Sequence, residues 1–246
     1  VAAKGARTVA SVVEDDPALR ATCGDVPDHS RKLGLTFLSS QVVSTSNTTA
    51  ALQRLLSLNP DVVVSCVPCG RGLLVHAEAK RLDLNPRAWI WPRCVGQTDF
   101  LDMTQGKGQY AIGTMPNPPI LPLTLGSAPM GLHEFARRWK EYYQTTVDPD
   151  AMAVSSFSAC AALLLAVQSA QSTNPAAVAA ALNNLAEVQF DENGQTVMDS
   201  VVVQYSMLGD GLKVVAPPSK AQHNLWYPTP QWQDRSCYDP TTPVAH

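Results

Sequence analysis

Charged residues are scarce in this chain: they make up 16% of its 246 residues, whereas ordinary globular domains carry about 25%. Lys and Arg number 18 and Asp and Glu 21, for a net charge of −3. The chain therefore lacks the basic field that holds a phosphate backbone, and no nucleic-acid partner is expected. Long apolar runs are also absent. The longest, residues 159–167, is about half of the roughly 18 residues that a membrane span needs, and it predicts a buried helix.

The usual catalytic signatures are also missing. The five histidines are scattered without the spacing of metal ligands, and no nucleophile elbow occurs. Gly106-Lys107-Gly108 lacks the surrounding residues of a phosphate-binding loop. We therefore predict a protein that is not an enzyme and that has no metal or cofactor.

Six cysteines are present, at positions 23, 66, 69, 94, 160 and 237. Their even number, together with the glycosylation triplet that begins at Asn47, favours an oxidising compartment outside the cytoplasm. The chain begins at Val1 rather than Met, so we expect a processed or truncated start. These features predict an extracellular or periplasmic glycoprotein, either secreted or at the cell surface.

The Cys66-Val67-Pro68-Cys69 unit has three interpretations. It could be a redox motif at a helix start, half of a zinc site completed by Cys94 and Cys23, or a part of structural disulfides. We favour disulfides, because Cys66 and Cys94 fall near the ends of strands expected to be neighbours. Cys94 is then predicted to bond to Cys66 or Cys69, and Cys23 and Cys237 are further candidates, the latter pinning the tail. Cys160 is predicted to be a buried small hydrophobe.

The first 115 residues alternate between strand and helix patterns. Apolar strands are predicted at 8–14, 36–43, 61–67, 89–91 and 109–114, and helices after Asp15-Asp16-Pro17 and at 48–58 and 72–82. Continuous apolar strands separated by helices predict an α/β fold with a parallel sheet covered on both faces.

The second half follows a different pattern. A Pro-rich connection at 115–129 leads to three predicted helices, at 132–143, 155–170 and 175–185. Short strands are predicted at 188–190, 201–207 and 213–216. The remaining residues, 217–246, predict a stiff, extended tail that resembles a connector to a further domain or a membrane. Its expected anchors are Trp226, Tyr227, Trp232 and Tyr238.

Open parallel sheets bind ligands beyond the C-terminal ends of their strands. The residues predicted there are Asp15, Asp16, Cys69, Gly70, Arg71, Arg93 and Gln97. A guanidinium at a strand end suits a carboxylate or similar anion, so Arg93 is the leading ligand contact. The alternative is an ion pair between Arg93 and Asp15 or Asp16. Gly70 and Gly72 would either admit a close ligand or satisfy turn geometry.

The ordered set of segments resembles type I periplasmic binding proteins, in the branch that binds leucine, isoleucine and valine. The segments that carry the resemblance include TVASVVEDD, LLSLNPDVVVSC, HAEAKRLDLNPRAWIW, GKGQYAIGTMPNP, SSFSACAALLLAVQSA and VQFDENGQTV. The resemblance implies two lobes: a second lobe at 1–115, helices returning to the first lobe at 116–186, closing strands at 187–216, and the tail at 217–246. It also implies an aromatic ligand contact at Phe157.

The chain departs from that family in two respects. The strands that begin lobe one have no counterpart here, so a preceding segment or a partner chain is expected to cover helices 132–185. In the family an acidic residue contacts the ligand's ammonium, and the corresponding position in this sequence is Arg93. The positions that correspond to the family's aromatic contacts lie near Leu19 and near Pro68 or Cys69. We therefore predict a binding domain for an amino-acid-like or anionic solute, as a receptor ectodomain or a solute-binding protein. The alternative is a degenerate copy of the fold that serves as a structural subunit, a scaffold, of a surface assembly.

Overall fold

The chain forms two compact units, which we describe separately. The computed structural model describes residues 1–92, 94–97, 100–105, 108–116, 123–125, 128–130, 132–147, 149–186, 188–194, 197, 200–205 and 212–235. Unit 1 consists of Val1–Thr114 together with the chain from Val202, and unit 2 consists of Met115–Val201. The chain therefore passes from one unit to the other twice.

Nine strands and eight helices follow one another in the described residues. The strands β1 to β9 are Thr8–Glu14, Thr36–Val43, Val62–Cys66, Ala88–Ile90, Ile112–Pro116, Leu123–Leu125, Ala128–Met130, Ser200–Tyr205 and Leu212–Ala216. The helices α1 to α8 are Pro17–Gly24, Val26–Lys32, Thr48–Leu58, Cys69–Arg81, Phe100–Met103, Leu132–Tyr143, Ala151–Ala170 and Pro175–Asn183. Short 3₁₀ turns lie at Ala2–Lys4 and Trp232–Asp234.

One seven-stranded sheet organises the fold, in the order β2-β1-β3-β4-β5-β8-β9. Neighbours from β2 to β5 are parallel, whereas β8 and β9 are antiparallel. The predicted α/β class is therefore confirmed, with a mixed rather than wholly parallel sheet. Val9, Val12, Val62 and Val63 of the central strands are almost completely buried, as expected for strands covered on both faces.

The helix starts and stops follow local chemistry. The Asp16 carboxylate accepts hydrogen bonds from the amides of Ala18 and Leu19, and Pro17 occupies the first turn of α1. Helix α3 ends at Asn59, which adopts the left-handed conformation with φ 47°. Asn174 caps α8 by accepting from Ala176 and Ala177. These starts and stops agree with the sequence analysis.

The C-terminal segment packs against the rest of unit 1 as far as Arg235 through three of its expected anchors, which corrects the expectation of an extended tail. Trp232 is buried, and its indole Nε1 donates to the carbonyl of Leu84 at 2.8 Å. Gln204 of β8 donates to the Trp226 carbonyl and accepts from the Trp226 amide. The Tyr227 ring lies under the Arg87 guanidinium, and Tyr238 lies outside the described residues.

Unit 2 consists of α6, α7, α8 and the β6–β7 hairpin. Ala161 and Ala162 of α7 are buried in a cluster with Val188, which Phe157 and Leu182 also contact. Much of α7 nevertheless remains exposed, including Leu163 and Met152.

Helix α7 corrects two predictions. Met152–Ala170 has a mean hydropathy of 1.6 and is long and apolar enough to cross a membrane by length and composition alone. The sequence analysis considered only uninterrupted apolar runs, which the serines of this helix shorten, whereas the mean over the whole helix remains strongly apolar. Cys160 is exposed, not buried as predicted, because it lies on the face of α7 away from Ala161 and Ala162.

Four further expectations need adjustment. The Pro-rich connection contains the β6–β7 hairpin. Helix α4 starts at Cys69 rather than at residue 72. The expected strand at 188–190 is reduced to one bridge residue, Phe190. The fifth strand begins at Ile112 rather than at residue 109. Tyr110 has a positive φ of 66°, which is outside the β region, so the strand cannot extend back through it.

Candidate ligand-binding site

The C-terminal ends of the parallel strands meet at one edge of the sheet, here called the C-terminal edge. Glu14 at the end of β1 lies opposite Val43 of β2, and Val13 lies opposite Cys66 of β3. The loops and helix starts that follow these strands are therefore neighbours. Thr45 follows β2, and Cys69 and Arg71 open α4.

Two disulfides cross-link the elements at this edge of the sheet. Cys23 of α1 is bonded to Cys66, with Cα atoms 6.0 Å apart, and Cys69 is bonded to Cys94, with Cα atoms 4.8 Å apart. Both separations fall within the usual range for disulfides. The short turn between β3 and α4 is thus tied to α1 on one side and to the turn after β4 on the other.

These disulfides resolve the three interpretations of the Cys66–Cys69 unit. The two cysteines bond to different partners and not to each other, which does not fit a redox pair. All four cysteines that a zinc site would have needed are in disulfides and offer no thiolate. Within the described residues, no three His, Cys, Asp or Glu side chains form a group that could hold a metal.

Three elements of the C-terminal edge contribute to one polar cluster, which is formed by Glu14, Arg71 and Thr45. The Arg71 Nε donates to Glu14 Oε1 at 3.4 Å, and its Nη2 donates to the Thr45 hydroxyl at 3.0 Å. The side chains of Arg71 and Glu14 are 20% and 24% exposed. A partly shielded ion pair of this kind is stronger than a fully solvated one and remains accessible to a solute.

Glu14 Oε2 is the second feature of this cluster. The atom is buried and accepts no hydrogen bond from any residue that the structure describes. Glu14 is the last residue of the predicted strand 8–14 and is not among the predicted ligand contacts. Its only sequence signal was its position as the last residue of an apolar strand, directly before Asp15 and Asp16.

Asp15 and Asp16, both predicted ligand contacts, lie beside Glu14 but have structural partners. Asp15 forms an exposed ion pair with Arg20 at 2.6 Å. The considered pair between Arg93 and an aspartate stays a prediction, because Arg93 is not among the described residues. Asp16 caps α1. Ligand binding by either residue stays a prediction.

The glycines differ in their roles. A side chain at Gly70 would meet nothing within 4 Å, whereas a Cβ at Gly72 would lie 3.3 Å from the Trp91 ring. Neither residue has a positive φ. Gly72 therefore permits close packing of α4 on the Trp91 ring, and Gly70 leaves open space at the helix start.

The remaining predicted residues are distributed over both units. Gln97 is half-buried, and its backbone carbonyl accepts a hydrogen bond from the Tyr205 hydroxyl at 3.3 Å. Asn47 is exposed, and its side-chain amide donates to the Val42 carbonyl. Phe157 belongs to unit 2, where its ring stacks on Phe135 at 4.3 Å. Arg93 and Cys237 lie outside the described residues.

Two surface cavities lie elsewhere in unit 1. One of about 350 Å³ lies between α4 and the residues around Met103, and one of about 320 Å³ lies between β2 and α3. We favour the C-terminal edge over both, because three separate elements bring a partly shielded ion pair together there.

Comparison with solved structures shows the fold. A leucine-binding protein from Thermotoga maritima is 16% identical, with a TM-score of 0.70 over 88% of this chain and 62% of its own. A substrate-binding protein from Desulfitobacterium hafniense, in complex with Leu, has 17% identity and a TM-score of 0.59 over 83% of this chain and 59% of its own.

A third solved structure is a solute-binding protein from Rhodopseudomonas palustris, in complex with 3,4-dihydroxybenzoic acid. It has 17% identity and a TM-score of 0.64 over 82% of this chain and 57% of its own. The chain thus spans less than two thirds of the length of each of these neighbours. A search of curated proteins returns no match.

The family comparison covers most of the chain. A family model described as periplasmic binding protein matches residues 1–206, which include the whole C-terminal edge and unit 2. The resemblance drawn from the ordered segments is confirmed, and the chain belongs to the periplasmic binding protein family.

Proposed function

We propose that this chain is a non-enzymatic binding domain for a small polar solute, held at the C-terminal edge of unit 1. The observation that carries the proposal is the Glu14–Arg71–Thr45 cluster, which three separate elements bring together where an open sheet binds its ligands. The two disulfides hold this edge in place, and a preorganised site binds at a smaller entropic cost.

Arg71 is the proposed contact for the solute's anionic group. The described contacts use two of its five N–H donors, and a guanidinium matches the geometry of a carboxylate. Arg93 would add a second positive charge, and Gly70, Cys69 and Gln97 would border the solute. Asp15, Asp16 and Phe157 are further proposed contacts. The ligands bound in two of the structural neighbours, leucine and 3,4-dihydroxybenzoic acid, both carry a carboxyl group, which supports a small carboxylate as solute.

The proposed location is the periplasm or the cell exterior. Family membership and two disulfides support it, because disulfides persist in oxidising compartments. Asn47 is exposed, as a glycosylation site must be. Delivery to a transporter and signalling as a receptor ectodomain are both compatible with binding at this edge.

Thermal unfolding in the presence of candidate solutes tests this proposal. A solute that binds the folded chain at 100 times its Kd adds about 2.7 kcal/mol of stability, a shift of roughly 5–11 °C for a domain of this size. Arg71→Ala should abolish the shift, and Arg31→Ala, in an exposed pair with Asp28 on α2, should leave it unchanged. Charge reversal by Arg93→Glu should also abolish it. Equal shifts in wild type and Arg71→Ala would refute the assignment of the site.

A structural role in a surface assembly is the second candidate function. It is favoured by the exposed apolar side chains of α6 and α7, since Tyr142, Met152 and Leu163 are 81%, 70% and 53% exposed. A partner chain or another segment of the protein would cover them. This function predicts no solute-dependent shift in Tm and a molar mass by light scattering that exceeds that of one chain.

A further inference from the structure

The two outer strands of the seven-stranded sheet differ in how their backbone is covered. At β9, the Val214 amide donates to the Gln222 side chain at 3.0 Å, and the Val214 carbonyl accepts from the amides of Gln222 and His223. The segment that follows β9 therefore occupies backbone groups that an outer strand would otherwise offer to another chain.

The outer strand at the other end, β2, is far less protected. It has β1 on one side and no other sheet neighbour among the described residues. Its sequence, TFLSSQVV, contains no charged residue and no proline, which are two of the devices that keep outer strands from pairing with other chains. A bulge is a third device, and β2 has one at Leu38, which has no partner in β1. Residues 39–43 beyond the bulge remain in regular register with β1, so this part of β2 is suited to accept another strand.

A cavity of about 320 Å³ lies along this regular part of β2. Three consecutive residues of the strand line it: Ser40, Gln41 and Val42. Successive side chains of a strand point to opposite faces of a sheet, so a cavity that borders three residues in a row borders the open backbone side of the strand. At one end of the cavity, Asn47 Nδ2 donates to the Val42 carbonyl at 3.2 Å.

Helix α3 forms the opposite wall of the cavity, and Arg54 gives that wall a positive charge. Ala50 and Ala51 line the cavity one helical turn before Arg54, and their small side chains keep the space open. Arg54 is the one charged residue in the described lining, and its guanidinium forms no ion pair with any residue that the structure describes. An unpaired guanidinium beside a groove favours a carboxylate.

We infer that β2 and the groove between β2 and α3 bind an extended, acidic segment of a partner protein. The segment adds a strand to the sheet along residues 39–43 through main-chain hydrogen bonds, and one of its Asp or Glu side chains reaches Arg54. Strand addition of this kind draws affinity from the backbone and specificity from pockets that receive alternate side chains. This interaction is separate from solute binding at the C-terminal edge and does not depend on it.

Selection of peptides on the 246-residue protein tests the inference. A phage-displayed library of random nonapeptides with no free C-terminus is selected in parallel on wild type, Arg54→Glu and Arg31→Glu. The last variant makes the same charge change at an exposed arginine of α2. We expect wild type and Arg31→Glu to enrich peptides with an acidic residue at a fixed position, and Arg54→Glu to lose that preference. Replacing the acidic residue of a selected peptide by its amide should weaken binding at least about 10-fold in fluorescence anisotropy.

N-methylation of the selected peptide tests strand addition without altering the protein. An added strand uses the amides of alternate residues for pairing and turns the others to solvent. Methylation of one alternate set should therefore abolish binding, and methylation of the other set should leave it within a few-fold of the parent peptide. Equal effects of the two sets would refute strand addition.

Two other results would also overturn the inference. Selection without acidic preference, or peptides that bind Arg54→Glu as tightly as wild type, would show that Arg54 does not recognise the segment. A dimer by light scattering that excludes the selected peptide would identify a second copy of this chain, rather than a partner protein, as the occupant of β2. Circular dichroism establishes that Arg54→Glu is folded, and the N-methylated peptides decide the question on wild type if it is not.

Discussion

At the scale of single residues, Asp61 shows how one carboxylate joins two strands that are far apart in the sequence. Its Oδ2 accepts from the amides of Arg7 and Thr8, at 2.7 and 3.1 Å, and its own amide donates to the Thr8 hydroxyl. Burial raises the pKa of Asp61, but the hydrogen bonds from Arg7, Thr8 and Arg87 outweigh burial and hold the pKa below its usual value. Asp61 thereby links the start of β1 to the start of β3.

Asp61→Asn should lower the free energy of unfolding at pH 7 by about 1–3 kcal/mol, because hydrogen bonds to a charged group are lost or weakened. A carboxyl whose folded-state pKa is depressed stabilises the fold above its unfolded-state pKa. That contribution disappears as the pH falls through the folded-state pKa. Urea titrations over a pH series should therefore show the two proteins converge in acid. Asp28→Asn is the control, and a constant gap between Asp61→Asn and wild type would contradict the assignment.

Gly113 of β5 is a glycine that packing requires. A Cβ at this position would lie 2.6 Å from the Cβ of Val95, which is completely buried. Gly113→Ala should therefore destabilise the protein by about 1–3 kcal/mol through overpacking. Gly24→Ala is the matched control, because nothing lies within 4 Å of its added Cβ. Equal stability of the two variants by chemical denaturation would show that Val95 moves aside without a loss of stability and would contradict this prediction.

At the scale of elements, the disulfides of the C-terminal edge should dominate local stability. The Cys69–Cys94 bridge spans 25 residues, for which chain entropy suggests about 3.5 kcal/mol. The double variant Cys69→Ser/Cys94→Ser should therefore lower the Tm by roughly 7–14 °C and weaken solute binding. Cys160→Ser, at the exposed cysteine, is the control and should match wild type. A double variant with unchanged Tm would mean that the bridge does not constrain the folded chain.

The 3₁₀ turn at Trp232–Asp234 anchors the C-terminal segment to unit 1. The Trp232 ring packs edge-on against His76 at 4.9 Å, and the buried Arg235 guanidinium lies 3.9 Å from its centre. Trp232→Ala should cost about 3–5 kcal/mol, measured by urea denaturation. Trp226→Ala should cost under about 1 kcal/mol, because that side chain is 41% exposed. Similar losses for the two variants would contradict this account of the anchor.

The elements with strong local signals were predictable from the sequence. Asp16-Pro17 predicts the start of α1, and the helix predicted at 132–143 has the same bounds as α6. Helix α7 begins earlier than predicted because Asp150 caps it, accepting from the Ala153 amide at 2.8 Å, a signal that the apolar pattern concealed. The β6–β7 hairpin was not predictable from a proline-rich stretch with no alternation.

The site was predictable only in part. Strand ends and Arg71 followed from the chain pattern, but Glu14 and Arg71 are 57 residues apart in sequence. Their contact depends on β1 and β3 being direct neighbours, which the sequence implies but does not specify. The disulfide pairing has the same origin: the sequence left Cys94 with two candidate partners, and the close approach of α1 to β3 assigns Cys66 to Cys23.

At the scale of the whole molecule, unit 1 has a hydrophobic core of its own. One buried cluster joins Val9, Val62, Ala88 and Ile112 with partly buried neighbours that all belong to unit 1. The cluster around Ala161 and Ala162 draws only on unit 2. Each of these two described clusters therefore draws its residues from a single unit.

Unit 1 should consequently fold without unit 2. A variant in which a flexible Gly/Ser linker of about 12 residues replaces residues 115–201 should show cooperative unfolding by circular dichroism and should retain both disulfides. The full chain is the reference. A variant that is soluble but unfolds without cooperativity would show that unit 1 needs unit 2.

The insertion of unit 2 between β5 and β8 also sets the order of events during synthesis. Residues 1–116 are synthesised before unit 2 is complete and can pair β2, β1, β3, β4 and β5, but the next strand of the sheet follows only after roughly 90 further residues. At about 5–20 residues per second, that delay is on the order of 5–20 s. During this time the edge of β5 is unpaired in the nascent chain, where an exposed strand invites association with other chains. A chaperone that shields this edge would act in that interval.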